Sequence, residues 1–341
     1  MLAPEVGSSR DREKAKSVLD VVRAGYGLSA TDREWLGALV STAGTLLDRG
    51  AGFMAYTYDA STPTVRFGEF AVQGLGEVAF ERLAECVARQ DAAVQYRLYR
   101  TSGPFGSISQ TLGLGERLDH APFFRDRFHP IGVRDFLAMN ATDPTGAGLV
   151  LCAPLTEIYR ASAGARSRWA RAAAHLAAAF RLRRALGATS PMVDAEAILT
   201  PNGRIEHAEG QAQDERSRDA LERAAKVLEA ALRRDAPRAE ALREWTALVE
   251  GRWSVIDCFD SDGKRFLVAR RNDPRTPSAL SLTEQEAQVV EFVRLGHGMK
   301  LVAYELGLPV STVAVLLERG MQKLGIRSRQ ELIAVMGEGN G

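Results

Sequence analysis

Four cations, Lys300, Arg319, Lys323 and Arg327, flank a short stretch that carries Ser311, Thr312, Ala314, Val315 and Glu318. Ammonium and guanidinium groups hold phosphate oxygens. Methyl-bearing side chains such as Ala314 and Val315 suit the thymine C5 methyl, and a carboxylate such as Glu318 accepts from a cytosine amine. With the hydroxyls of Ser311 and Thr312 opening the stretch, these residue types would suit contacts to phosphates and base edges of a duplex if one helix presented them together.

Such a reading needs a helix held by its neighbours, and the flanking residues supply the signals. A helix is expected from about Thr283 to Leu295, with Val289, Val290 and Val293 on one face, broken by Gly296-His297-Gly298. A short helix follows from Lys300 to Leu306. Gly307 stands one residue beyond it, where a left-handed conformation is needed, and Leu308 can fold back onto the apolar face. The next helix, from Pro309 or Val310 to Leu324, is the one such a turn lays in the groove.

From Leu282 to Arg329 the segment resembles the LuxR-type helix-turn-helix family without a gap. The positions that carry the resemblance are Leu282-Thr283 with Glu286, Gly296, Lys300 with Val302-Ala303, Leu306-Gly307-Leu308, Thr312-Val313, Lys323-Leu324-Gly325-Ile326 and Ser328-Arg329. The resemblance implies a transcriptional regulator that binds double-stranded DNA as a homodimer, with the helix after Ser328 helping to pair the modules and RNA polymerase as a further partner.

The chain departs from that pattern on the groove face. Where the family usually has a basic or polar residue, a base-contacting residue and then His, it has Ala314, Val315 and Leu316, and Glu318 stands where a second basic residue is frequent. Pro309 replaces the usual Ser; it can serve as the first helical residue but has no capping oxygen. From Ser281 to Gly341 two Lys and four Arg meet seven Glu, a net charge of −1. Phosphate neutralisation should then be slight, with a log–log salt slope of about −2 to −4 per module pair. A second reading stays open: a degenerate helix-turn-helix kept as a protein-interaction module in signalling, without sequence-specific DNA binding.

The remaining chain bounds the answer. Its 341 residues are 45% hydrophobic and 26% charged with a net charge of +1, ordinary values for a globular protein of two or three domains. Cys86, Cys152 and Cys258 form no CxxC pair, so neither a disulfide framework nor a zinc site is expected. The five histidines are dispersed, and no Gly-x-Ser-x-Gly elbow, HExxH helix or phosphate loop occurs, so neither catalysis nor a cofactor is expected. Met1 to Asp20 lacks a signal-peptide core and no run of 18 apolar residues occurs, which leads to the expectation of a cytoplasmic protein without a membrane span. The paired acids, aspartate and lysine of a phosphoacceptor domain are not found near the start, and the aromatic pattern of acyl-homoserine lactone binding is not evident.

Upstream, helices are expected over Asp11–Arg23, Thr31–Asp48, Gly74–Arg100 and Ser167–Leu186, with strands over Phe53–Tyr58, Val65–Val72, Asp135–Asn140 and Gly148–Ala153. This order resembles GAF-type sensor domains. Phe53, Tyr56, Phe70, Leu137, Met139, Cys152 and Trp169 are candidates to line a ligand site there, although aromatic and aliphatic residues at strand spacing more often form core. A second block has hairpins over Asp194–Ala208 and Trp253–Arg270 around helices Glu215–Arg234 and Pro237–Glu250, an order similar to a reduced PAS-type domain. The expected organisation is an α+β multidomain chain: a GAF-like sensor domain over 1–188, a reduced PAS-like domain over 193–271, a linker over 272–280 and an all-α helix-turn-helix module over 281–341. Its signal, small molecule or protein, is not readable from sequence. The stretch Arg166–Leu186 combines arginines with Ala172–Ala174 and Ala177–Ala179, and is expected to be a packed coupling or dimer helix with a solvated arginine face.

Overall fold

Thr31 shows how closely local chemistry sets the boundaries of this chain: its hydroxyl accepts from the Glu34 amide while the Glu34 carboxylate accepts from the Thr31 amide, a closed capping box. A computed structural model describes residues 17–76, 78–187, 191–233, 238–259, 263–274 and 282–335. The expected helix from Asp11 is described only from Val18, residues 1–16 lying outside.

The first unit contains α1 (Val18–Gly25), α2 (Asp32–Leu47), β1 (Phe53–Asp59), β2 (Arg66–Gln73), α3 (Val78–Ala88) and α4 (Ala92–Tyr99). It continues through β3 (Phe105–Ser107), α5 (Ile108–Thr111), α6 (Pro122–Phe128), β4 (Asp135–Thr142), β5 (Ala147–Leu155) and α7 (Ala163–Leu186). The single helix expected over Gly74–Arg100 is divided, because the Asp91 carboxylate takes the Val94 amide at 2.7 Å and so starts a new helix. Strand β3 was not anticipated; three residues carry too little periodicity to stand out.

The strands form one antiparallel sheet in the order β2-β1-β5-β4-β3. All nine residues of the central strand β5 are buried, so the sheet is covered on both faces. Alternation along β1 sends Phe53 and Ala55 into a core shared with α1, α2 and α7, and Met54, Tyr56 and Tyr58 into a second, aromatic core with Phe80, Tyr99 and Phe124.

The second unit contains β6 (Ala197–Leu199), β7 (Ile205–Ala208), α8 (Glu215–Leu232), α9 (Arg238–Glu244), β8 (Trp253–Phe259) and β9 (Arg265–Arg271). Its sheet runs β7-β6-β9-β8, again antiparallel, and Leu221, Ala225 and Leu228 of α8 pack on it. The helix expected to reach Glu250 ends at Glu244, because the Trp245 carbonyl turns to His175 and Tyr304 instead of the next helical amide. Asn272, expected to begin a linker, is buried: it donates to the Ala178 carbonyl and the Ser254 hydroxyl, each at 2.8 Å. Residues 275–280 lie outside the described part.

Helix α7 is the packed helix expected, and the surfaces it packs against lie within the chain. Every residue from Ala172 to Ala179 is buried within this chain. Ala173 and Ala177 belong to the core of the first sheet, while Ala174 and Ala178 face the C-terminal helices. The small side chains that read as a dimer surface are the means by which three elements approach one helix. The arginine face is also only partly solvated: Arg166, Arg168 and Arg184 are exposed. Arg183 donates to the Gly27 and Ala30 carbonyls and lies over the Trp35 ring, and Arg181 pairs with Asp143.

Candidate nucleic-acid interface

The C-terminal helices are α10 (Glu284–Arg294), α11 (Met299–Leu306), α12 (Val310–Leu324) and α13 (Arg329–Val335). Thr283 and Glu286 close a capping box at the start of α10. Gly307 ends α11 at φ 62° and ψ 34°, the left-handed turn read from the sequence; a Cβ there would also strike the Leu248 carbonyl. Leu308 folds back into the core, and its amide reaches the Ala303 carbonyl at 3.0 Å. Helices α11 and α12 turn by 106°, within the range of a helix-turn-helix. Pro309 sits at the N-cap of α12, one position before the first helical residue, and no side chain caps that end.

Val313, Leu317 and Gly320 face inward from α12, and Gly320 lets the helix approach Val290 so closely that a Cβ would lie 2.6 Å from it. The opposite stripe carries Ser311, Ala314, Val315, Glu318, Arg319 and Gln322, all exposed. Val315, at 45% exposure, stands in the middle of it. Of the expected contact residues, Ser311, Ala314, Val315, Glu318 and Arg319 therefore share one surface, with Thr312 half-buried at its margin. Gln322 was missed, although it lies four residues beyond Glu318 and seven beyond Val315, the spacing of one helical face.

Charge is distributed very differently from its sum. Glu286, Glu291 and Glu305 are buried. The Lys323 ammonium, 2.6 Å from Glu286, together with the Thr283 amide holds that carboxyl below its usual range. Lys323, itself exposed, thus forms an ion pair with α10. Glu291 pairs with Arg294 and lies 3.6 Å from Arg100 of the first unit, and Glu305 meets His297 at 2.9 Å. Lys300, Arg319, Lys323 and Arg327 are exposed, and Glu318 is the acid on the outer stripe of α12.

The module is held by its other faces. Tyr304 of α11 donates to the Leu242 and Trp245 carbonyls at 2.6 and 2.7 Å. His175 of α7 places Nε2 2.7 Å from the Trp245 carbonyl and 2.9 Å from the Tyr304 hydroxyl, and Nδ1 3.2 Å from the Tyr26 hydroxyl. A carbonyl oxygen only accepts, so Nε2 carries the proton and Nδ1 accepts from Tyr26. Burial pushes His175 down to about 4. The Gly251 amide satisfies the last carbonyl of α11, Leu306, at 2.6 Å. Helices α10 and α11 are thus docked on the upstream units, and α12 faces away.

Residues 280–336 match the family of bacterial regulatory proteins of the luxR type. They form a LuxR-type helix-turn-helix domain. The domain carries DNA binding and transcription regulation as its family function. No curated protein matches the chain.

The residues expected to line a ligand site in the first unit do not converge. Phe53, Leu137, Met139 and Trp169 lie in the core on the α2 and α7 side of the sheet, whereas Tyr56, Cys152 and Phe70 belong to the opposite side. Phe70 stacks on Phe80 at 4.3 Å. Tyr56 and Cys152 do line a cavity, but its volume is about 50 Å³, far below that of a small-molecule pocket. Period-2 alternation separates these residues, and the sequence list mixed the two faces.

Proposed function

We propose that the protein is a one-component transcription regulator whose upstream units sense a signal and gate a LuxR-type module that binds double-stranded DNA as a homodimer. The observation that carries this reading is the exposed stripe of α12: Val315 and Ala314 offer methyl groups, Glu318 and Gln322 hydrogen-bonding groups, and Arg319 with Lys300 and Arg327 phosphate contacts, while Glu286, Glu291 and Glu305 are withdrawn from the surface. The five-stranded order β2-β1-β5-β4-β3 supports a GAF-like reading of 1–188, and the β-β-α-α-β-β order of 193–271 supports a reduced PAS-like one. Gating would act where His175, Trp245 and Tyr304 join the units, because movement there changes how α11 is held. The module works where bacterial DNA and RNA polymerase are, in the cytoplasm; among the described residues no single helix is long and apolar enough to cross a membrane.

Selection of bound sequences from random duplex DNA by the full-length protein tests the reading. Enrichment of a two-fold symmetric site, lost in Arg319→Glu, is the expected result. Absence of any enriched sequence, with the protein folded, would instead favour a module used for protein interaction.

A further inference from the structure

A ligand-sized opening lies outside the first sheet. Between α1, α8 and β8 is a cavity of about 440 Å³, within the range of small-molecule sites. Tyr26 and Trp245 form an aromatic wall, their rings stacked at 5.7 Å and 28°, and Leu228, Leu232 and Val255 complete an apolar lining. The rim is charged. Arg265 bridges Asp257 at 2.7 Å and Glu229 at 2.8 Å, so both carboxylates already hold a cation. Arg23 is differently placed: its ion-pair partner Asp20 is 3.7 Å away, one amino group donates to the Ala231 carbonyl, and its partly exposed side chain lines the cavity. A guanidinium with only a long carboxylate contact, set at the rim of an apolar, aromatic-walled cavity, suits one anionic group on an otherwise apolar molecule.

We propose that this cavity is a binding site for a small planar, mainly apolar molecule carrying one anionic group, with the ring body against Tyr26 and Trp245 and the anion at Arg23. Two phosphates or a polyanion would find one cation too few; a cation would meet carboxylates that Arg265 already occupies. Such an occupant touches the aromatic side chain of Trp245, whose carbonyl accepts from both His175 and Tyr304. A role as the input to DNA binding rests on the function proposed above; the site itself does not.

The test therefore needs no DNA. 1-Anilinonaphthalene-8-sulfonate, an aromatic monoanion that brightens on leaving water, is titrated into the full-length protein. Saturable binding of one equivalent per chain is expected. Arg23→Gln should weaken it about tenfold or more, the scale of one charge-assisted hydrogen bond. Leu228→Trp, which fills the cavity, should abolish it. Both variants are checked for an intact thermal unfolding transition, and because Arg23 lies partly at the surface the Gln variant remains decisive if Leu228→Trp does not fold. Absence of saturable binding, or binding that a folded Leu228→Trp or Arg23→Gln variant leaves unchanged, would overturn the proposal.

Discussion

His175 is the residue on which most of the molecule converges. It is fully buried, and Tyr26, Trp245 and Tyr304, from three separate stretches of chain, meet its ring. Both nitrogens are engaged in the neutral form; a second proton would be forced at Nδ1, against the Tyr26 hydroxyl in a fully buried site. The folded protein consequently binds that proton less well than the unfolded chain does. With the group lowered from 6.5 to about 4, its stability contribution is intact above about pH 6.5, falls as the pH drops towards 4, and is gone below that. The shift corresponds to a loss of roughly 3 kcal/mol at most. His175→Gln should be less stable at pH 7 through its altered hydrogen bonds, yet show a shallower decline between pH 6.5 and 4 in denaturant titrations. Parallel pH profiles for the two proteins would assign the titration elsewhere.

At the scale of elements, α7 organises the chain. Its alanines let the first sheet, α1 and α11 pack against one helix, and Asn272 fastens the end of the second sheet to it through the Ala178 carbonyl. Glutamate at Ala173 and Ala177 would bring two carboxylates into a core that offers them no partner, at a cost of several kcal/mol each. We expect the double variant to lose its cooperative thermal transition altogether. Sedimentation of a folded monomer would be the contrary result, since it would put these residues on a seam between subunits. Helix α12 follows the opposite logic: Val313, Leu317 and Gly320 fix its inner face, and among the described residues its outer face is exposed.

For the whole molecule, the distribution of charge matters more than its total. The C-terminal module sums to −1, but three of its acids are buried, and Lys300, Arg319 and Arg327 remain exposed for phosphate. A pair of modules would then neutralise roughly six phosphates, which predicts a slope of log affinity against log salt of about −5. This is steeper than the net charge alone suggests. Affinities measured across a salt series on a selected duplex check it: a slope near −2 would mean that these cations do not reach phosphate, and one near −8 would bring in further cations such as the exposed Arg166 and Arg168 of α7.

Capping and turn chemistry were legible because they act over a few neighbouring residues. Thr31 with Glu34, Thr283 with Glu286 and the left-handed Gly307 stand where local pairing rules put them, and α12 runs over the expected Val310–Leu324. The helix-turn-helix itself was written in such signals, so its fold and its outward stripe could be read from the chain. What only the tertiary structure decided is how long-range partners use each surface. A run of small residues shows that something packs closely, without saying whether that is another subunit or, as for Ala173 and Ala177, the protein's own sheet. An unpaired lysine in sequence, Lys323, becomes the partner of a buried glutamate 37 positions away. Local sequence determines which elements form, because helix ends, turns and alternation are short-range. Burial and pairing depend on residues brought together from distant parts of the chain, and they set which charges and which cavities remain open to a partner.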